Sequence, residues 1–140
     1  MSEKLIGYNK KIAFINLSSE EVELKDLHFQ TAKMYLGGTG LSAKITYDVL
    51  TDEDYETLEK DPFAGINPLI FATGPVTGTL RPSSGRYSVT AISPLTGIWG
   101  EGTSGGFFCL SLRNSGYDAL VIRGKAKNPK LLLINDGSIE

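Results

Sequence analysis

The segment Pro68-Leu-Ile-Phe-Ala-Thr73 is a short apolar run that ends at Gly74-Pro75. A run of this length bounded by turn residues is typical of a buried strand. Further along, Arg86-Tyr-Ser-Val-Thr-Ala-Ile-Ser93 alternates large and small side chains around Tyr87 and Val89, which predicts a second strand. The centre of the chain is therefore expected to form part of a β-sheet.

The residues before this sheet segment predict a hairpin followed by two helices. Ile12–Leu17 is expected to be a strand, with Val22–Leu24 as its hairpin partner across a turn at residues 18–20. A first helix is predicted over 26–36, where two glycines would end it, and a second over 41–50, where apolar residues recur every fourth position. The acidic segment 51–61 is interpreted as a solvated loop or a frayed turn.

Glycine dominates the region that follows the second predicted strand. Residues 97–106 contain five glycines, and a helix is predicted over 105–114 with Thr103 or Ser104 as its N-cap. Two further strands are expected at 119–123 and 130–135. The last of these leads into a turn and a return strand, as residues 12–23 do, which is a weak internal repeat. The predicted fold is α+β: mixed sheets with a few helices, in two similar halves of which the second appears truncated, within one domain over 1–140.

Composition narrows the classes of function. The formal net charge is −2, which argues against nucleic-acid binding because that function needs a basic surface. The single cysteine, Cys109, excludes an internal disulfide framework and a self-contained cysteine-ligated cluster, and it is expected to pack as a small hydrophobe. The sequence shows no secretory signal and no apolar run of the roughly 20 residues that a membrane span needs, so a cytoplasmic protein without a membrane partner is expected.

Three features are candidates for binding. The glycine-rich segment that precedes the predicted helix would present backbone N–H groups to a phosphate or cofactor, or it is a tight structural loop. Residues 74–79 form either a ligand loop or a plain connection between strands. Arg86 could fork onto a phosphate or carboxylate, or it forms a salt bridge at the sheet edge. No group of residues suggests a nucleophile with a base, so no catalytic residue is assigned.

The order of several short motifs resembles the N-terminal domain of the tungsten-containing aldehyde:ferredoxin oxidoreductases. The motifs are Y-L-G-G at 35–38, L-I-F-A at 69–72, G-P-V-T-G-T at 74–79, S-G-R-Y at 84–87, S-P-L-T-G at 93–97, S-G-G-F-F at 104–108 and G-Y-D-A at 116–119. The resemblance implies an enzyme that oxidises aldehydes to carboxylic acids with ferredoxin as electron acceptor. It also implies a tungsten bis-pterin cofactor of the molybdopterin type with bridging magnesium, molybdenum replacing tungsten in some relatives, and a [4Fe–4S] cluster.

The resemblance also assigns residues. Arg86 matches the family arginine at the pterin site, and Thr103 matches a position whose backbone carbonyl faces the magnesium. Ser104, Gly105 and Gly106 would complete the cofactor-binding segment. Thr103 stands where asparagine is expected and Thr39 where arginine is common.

The catalytic and cluster-binding residues would belong to C-terminal domains, which are the expected partner together with ferredoxin. The 140-residue chain alone is therefore expected to be inactive, and a homo-oligomer is left open. Three other interpretations remain. The chain is a stand-alone pterin-binding or assembly module, or it is a purely structural remnant that binds nothing. It could also be part of a related tungsten-dependent aromatic acyl-CoA reductase.

Overall fold

The computed structural model describes residues 5–140, which form a mixed six-stranded sheet, a two-stranded hairpin and four helices. The order in the large sheet is β2-β1-β6-β3-β4-β5; β1 and β6 are parallel, and the other neighbours are antiparallel. The predicted α+β class is confirmed. The strands are β1 Lys11–Asn16, β2 Glu21–Asp26, β3 Leu69–Ala72, β4 Tyr87–Ile92, β5 Trp99–Ser104, β6 Ala119–Arg123, β7 Ile134–Asn135 and β8 Ser138–Ile139.

The helices are α1 Phe29–Tyr35, α2 Gly38–Val49, α3 Asp52–Lys60 and α4 Phe108–Asn114. Within residues 5–140, none of them is long and apolar enough to cross a membrane. The α1 helix begins three residues later than predicted because β2 continues to Asp26, paired with Lys11 of β1. The α2 helix begins three residues earlier than predicted, at Gly38.

The sheet buries apolar side chains on both faces, as its alternating pattern requires. On the face covered by α1 and α2, Ile12, Ile70 and Val121 pack against Leu41 and Ile45. On the opposite face, a second cluster contains Ala13, Ile15, Leu112, Tyr117 and Leu120, with the β7–β8 hairpin packed against it. Burial of one such leucine or isoleucine contributes about 2 kcal/mol, so these two clusters stabilise the sheet in its place.

The prediction of a loop at 51–61 is wrong, because this segment contains α3. Thr51 and Asp54 form a capping box in which the Thr51 hydroxyl accepts from Asp54 N at 3.2 Å and the Asp54 carboxylate accepts from Thr51 N at 2.9 Å. Leu58 packs into a third core cluster with Leu50 and Ile92. One buried leucine and a strong cap are enough to order a helix whose remaining side chains are mostly charged.

The glycine-rich segment is also different from the prediction. Residues 99–104 form β5 at the edge of the sheet, with Trp99 opposite Ile92 and Ser104 opposite Tyr87. The helix that follows begins only at Phe108, and its N-cap is Phe107, so neither Thr103 nor Ser104 caps it. Pairing with β4 holds the glycines extended, and their weak strand propensity is overridden by this tertiary contact.

The last residues of the chain form the predicted hairpin, but its first strand is shorter than predicted. The strand predicted over 130–135 is reduced to Ile134–Asn135, which pairs with Ser138–Ile139. The Tyr117 hydroxyl donates to Gly137 O at 2.6 Å and ties the hairpin to the second core cluster. The two hairpins at the start and the end of the chain match the weak internal repeat, while the truncated second half stays a prediction.

Candidate functional site

A cavity of about 260 Å³ lies where β3 ends, β4 begins and α2 starts. Three chain segments that are distant in sequence converge there because β3 and β4 are antiparallel neighbours and α2 packs across both. The lining residues are 36–39, 72, 74–77, 83–84, 86–88 and 103. They are mostly glycines, hydroxyl residues and small apolar residues, so backbone groups reach the cavity surface.

Arg86 provides the only charged side chain among these lining residues. Its Nη1 donates to Thr103 Oγ1 at 3.3 Å, and none of the ion pairs found within residues 5–140 includes it. The salt bridge considered for Arg86 at the sequence level is thus not formed in the described part of the chain. An exposed guanidinium without a carboxylate keeps its remaining N–H donors available for a phosphate or carboxylate.

The first residues of α2 form one wall of the cavity. Gly38 N donates to Thr73 O at 2.9 Å, and a Cβ on Gly37 would lie 2.6 Å from Thr73 O and 2.8 Å from Gly74 Cα. No side chain caps this twelve-residue helix. The positive end of the α2 dipole, with the N–H groups of the first turn other than Gly38 N, therefore lies at the cavity and favours an anion.

The loop after β3 forms the opposite wall, and Thr77 holds it in shape. The buried Thr77 Oγ1 accepts from Gly74 N at 3.0 Å and donates to Arg86 O at 3.2 Å. Gly78 N donates to Ser84 O at 3.2 Å. These bonds connect the G-P-V-T-G-T loop directly to the backbone of Arg86, so the position of the arginine depends on the loop.

The structure brings together only part of the predicted cofactor-binding set. Arg86 and Thr103 line the same cavity. Ser104 is paired with Tyr87 and so lies on the other face of the sheet. A Cβ on Gly105 would lie 3.3 Å from Gly85 O, next to Arg86, whereas Gly106 has a φ of +89° and open space around it. The magnesium role of the Thr103 carbonyl stays a prediction.

The N-terminus of α2 is the part of the cavity that sequence reasoning missed. At the sequence level, the two glycines at 37 and 38 predict only the end of α1, and the helix start expected at a binding site lies near residue 105. A signal for this helix start is present in the sequence, because Gly37-Gly38 lie just upstream of the helical repeat that begins at Leu41.

A larger cleft of about 1120 Å³ lies at the opposite end of the sheet, near the ends of β1 and β6. Its rim carries charges of both signs, with Glu21, Glu23 and Asp48 around Lys25 and Arg123. The Arg123 Nε donates to Ile66 O at 3.0 Å, so this guanidinium already makes a structural hydrogen bond within the fold. This mixed rim favours no single class of charged ligand, and the Arg86 cavity is the better anion site.

Comparison with known proteins identifies relatives of this chain. Residues 12–140 match the family described as "Aldehyde ferredoxin oxidoreductase, N-terminal domain". The chain is 40% identical over 136 residues to the tungsten-containing aldehyde ferredoxin oxidoreductase of Pyrococcus horikoshii, which covers 97% of this chain and 21% of that protein. It is 34% identical over 137 residues to a protein of Pyrococcus furiosus named "Aliphatic sulfonate oxidoreductase, WOR-like subunit", with coverage of 97% and 21%.

A solved structure has the same fold. The active site complex BamBC of benzoyl coenzyme A reductase with 1,5-dienoyl-CoA contains a chain that superposes with a TM-score of 0.87 at 30% identity, covering 96% of this chain and 20% of that one. The chain thus spans about a fifth of the length of these relatives, 21% in the case of the Pyrococcus horikoshii enzyme. The matched sequence, the level of identity and the shared fold show that this chain belongs to the aldehyde ferredoxin oxidoreductase family and corresponds to its N-terminal domain.

Proposed function

We propose that this chain is the cofactor-binding part of a tungstopterin oxidoreductase that converts aldehydes to carboxylic acids with ferredoxin as electron acceptor. The observation that carries the proposal is the Arg86 cavity, which is lined by the start of an uncapped helix and by an exposed guanidinium that has no acidic partner within residues 5–140. The tungsten named in the relatives supports a tungsten cofactor, and their names support the reaction class. A cytoplasmic location stays a prediction from the sequence.

The residues present fit the phosphate end of a pterin. A phosphate needs several N–H donors and a positive field, which Arg86 and the first turn of α2 supply together. Gly74, which lines the cavity, has no side chain to obstruct a close approach to the backbone, and Gly37 lets the start of α2 pack directly on Thr73 and Gly74. Thr103 offers a hydroxyl already bonded to Arg86, and its carbonyl is the proposed magnesium contact. We also propose that Ser104, Gly105 and Gly106 contact the cofactor through their backbone. Ser104 is the last residue of the edge strand β5, and the two glycines follow it directly.

When bound, the tungsten and its pterins supply the redox chemistry, and the protein supplies binding, orientation and electrostatics. Cys109 is completely buried, and its Sγ lies 3.1 Å from Gly106 O, so it is not placed to hold an iron–sulfur cluster. We therefore propose that the [4Fe–4S] ligands and the groups that act on substrate come from the rest of the enzyme. That remainder is the first partner of this chain.

One alternative has an observation in its favour. The benzoyl coenzyme A reductase complex shares the fold across almost the whole chain at 30% identity, so an aromatic acyl-CoA substrate is the second candidate. The two candidates differ in a direct assay of the complete enzyme. Reduction of a viologen dye with an aldehyde supports the first, and turnover of an aromatic acyl-CoA without aldehyde oxidation supports the second.

Arg86→Ala in the complete enzyme tests the cavity. We expect tungsten and pterin content per protein to fall by roughly tenfold or more, since a charge-assisted phosphate contact contributes about 1.5–3 kcal/mol. Metal is measured by mass spectrometry, and pterin by fluorescence after oxidation. Lys127→Ala is the matched control, because it removes one positive charge from an exposed position away from the cavity. Equal cofactor content in Arg86→Ala and wild type would overturn the role of the cavity.

A further inference from the structure

A buried ion pair lies behind the loop that forms the wall of the cavity. The Asp118 side chain is 1% exposed, and Arg113, at the end of α4, is 15% exposed; Arg113 Nη1 lies 3.3 Å from Asp118 Oδ1. The Asp118 carboxylate also accepts from Asn9 N at 2.9 Å and from Lys10 N at 2.6 Å. Burial raises the pKa of this carboxyl, and backbone hydrogen bonds from Asn9, Lys10 and Lys11 and the charge of Arg113 oppose that change. A carboxylate buried in this way is retained only where its partners are fixed.

The same pair fixes the segment before β1. Arg113 Nη2 donates to Gly7 O, and Asn9 Nδ2 returns a bond to Arg113 O at 2.7 Å. Both arms of the guanidinium are thus used, one on Asp118 and one on the backbone of Gly7. Neither Arg113 nor Asp118 lines the Arg86 cavity, so any effect of the pair on that cavity must be transmitted through other residues.

The fixed segment contacts the loop at residues 74–78 without a gap. Gly7 has a φ of +85°, and a Cβ there would lie 2.6 Å from Pro75 O. From the other side, a Cβ on Gly78 would lie 3.2 Å from Leu110 Cδ2 and 3.6 Å from Arg113 Cγ. The loop is therefore packed between Gly7 on one side and the Arg113 side chain on the other.

The backbone of Asp118 contacts the same loop. Its carbonyl oxygen accepts from Thr73 N at 2.9 Å and from Thr73 Oγ1 at 3.2 Å, immediately before the loop begins. The loop in turn holds Arg86 through Thr77 Oγ1, which donates to Arg86 O at 3.2 Å. A continuous series of contacts leads from the buried pair to the arginine.

We propose that Arg113 and Asp118 are positioning residues that set the shape of the 74–78 loop and thereby the anion affinity of the Arg86 cavity, an inference that rests on the proposed function. The pair touches no ligand. It acts through Gly7, Gly78 and Thr77. Asp118→Asn keeps the size of the side chain but places an N–H donor opposite a backbone N–H donor, so the loop should open locally.

Amide hydrogen exchange of the full chain separates this role from a general contribution to stability. Thr77 N, Gly78 N and Thr79 N are hydrogen-bonded within the loop region and report its opening. In Asp118→Asn we expect their exchange to rise about tenfold more than that of the α2 amides, because a lost charged hydrogen bond is equivalent to about one decade. Leu58→Ala, which removes a buried side chain from the third core cluster, is the control and should raise exchange without selecting the loop.

Arg113→Lys is the second variant, and it decides the question if Asp118→Asn does not fold. Lysine keeps the charge but cannot hold Asp118 and Gly7 O at once, so a smaller, still loop-selective rise is expected. A rise that is equal in the loop and in α2, in every variant that folds, would overturn the proposal.

Binding of inorganic pyrophosphate, measured by calorimetry well below the melting temperature, gives the functional readout. We expect the affinity of Asp118→Asn to be about tenfold weaker than that of wild type, and that of Leu58→Ala to be unchanged. Loop-selective exchange with unchanged affinity would overturn the positioning role. If the wild-type chain does not bind pyrophosphate, the proposed function fails, and the exchange result alone still decides whether the pair shapes the loop.

Discussion

Gly37 lies where the start of α2 meets the loop after β3. A methyl group at this position would be 2.6 Å from Thr73 O and 2.8 Å from Gly74 Cα, which are backbone atoms that cannot rotate away. Gly37→Ala is therefore expected to lower the free energy of unfolding by about 1–3 kcal/mol through overpacking, as measured by urea denaturation. Gly102→Ala, in open space on β5, is the control and should change it by less than about 0.5 kcal/mol. Equal changes in both variants would contradict the tight contact.

At the scale of residues, the sequence indicated which side chains could bind a ligand better than it indicated on which face of the sheet each one lies. Arg86 and Thr103 were selected and do line one cavity, and the expected packing of Cys109 is confirmed by its complete burial. Ser104 was placed with them because it follows Thr103 in sequence. In a strand, however, neighbouring side chains point to opposite faces. Because residues 97–106 were not predicted as a strand, the sequence did not indicate that Ser104 pairs with Tyr87 and faces away from Thr103.

At the scale of elements, α3 shows how local chemistry decides between helix and loop. Hydrogen bonds from Thr51 N and from the Thr51 hydroxyl lower the pKa of the Asp54 carboxyl below its ordinary value of 3.8. A lowered pKa in the folded state means that the cap stabilises fully above pH 3.8 and is lost as the pH falls through the lower value. Asp54→Asn should therefore lower stability at pH 7 and have little effect near the acid limit.

The measurement for this cap is the urea midpoint of wild type and variant over a series of pH values. Thr51→Ala should lower the free energy of unfolding by about 1 kcal/mol at pH 7, as loss of an N-cap does. Glu56→Gln removes a carboxylate from the same helix without touching the capping box, and serves as control. A difference between Asp54→Asn and wild type that is constant with pH would show that the ionised cap contributes nothing.

Elements could be predicted from the sequence wherever periodicity or turn residues were strong. The β1–β2 hairpin, β3, β4, β6 and the existence of α1 and α2 follow from such patterns. The short α3 was missed because one buried leucine gives no periodic signal, although its Thr-x-x-Asp cap was readable. The edge strand β5 was missed because its extended conformation depends on pairing with β4, which is a long-range contact.

At the scale of the whole molecule, the position of β6 was out of reach of local patterns. This strand comes late in the sequence, yet it lies between β1 and β3 in the sheet. It is parallel to β1 and antiparallel to β3. Because Asp118 directly precedes β6, that insertion brings its carboxylate to the N-terminal segment and its backbone carbonyl to Thr73 at the end of β3. The convergence that shapes the cavity is thus a property of topology, and the family motif G-Y-D-A is one local trace of it.

The melting temperature of the whole chain distinguishes a binding domain from a remnant that binds nothing. A ligand that binds only the folded state raises stability by RT ln(1 + [L]/Kd), or about 2.7 kcal/mol at one hundred times Kd. Pyrophosphate is therefore expected to raise the melting temperature of wild type by several degrees, since about 1 kcal/mol shifts a domain of this size by roughly 3–5 °C. The shift should shrink with added salt, because the cavity is open to solvent and Arg86 is exposed.

Two variants make this thermal result specific to the cavity. Arg86→Ala should abolish most of the shift, and Lys127→Ala, which changes net charge equally on the part of the chain after β6, should keep it. If both variants lose the shift equally, pyrophosphate is attracted by overall charge and the cavity is not its site. If wild type itself shows no shift at any salt concentration, the chain does not bind phosphate groups through this domain, and its contribution to the enzyme is then structural.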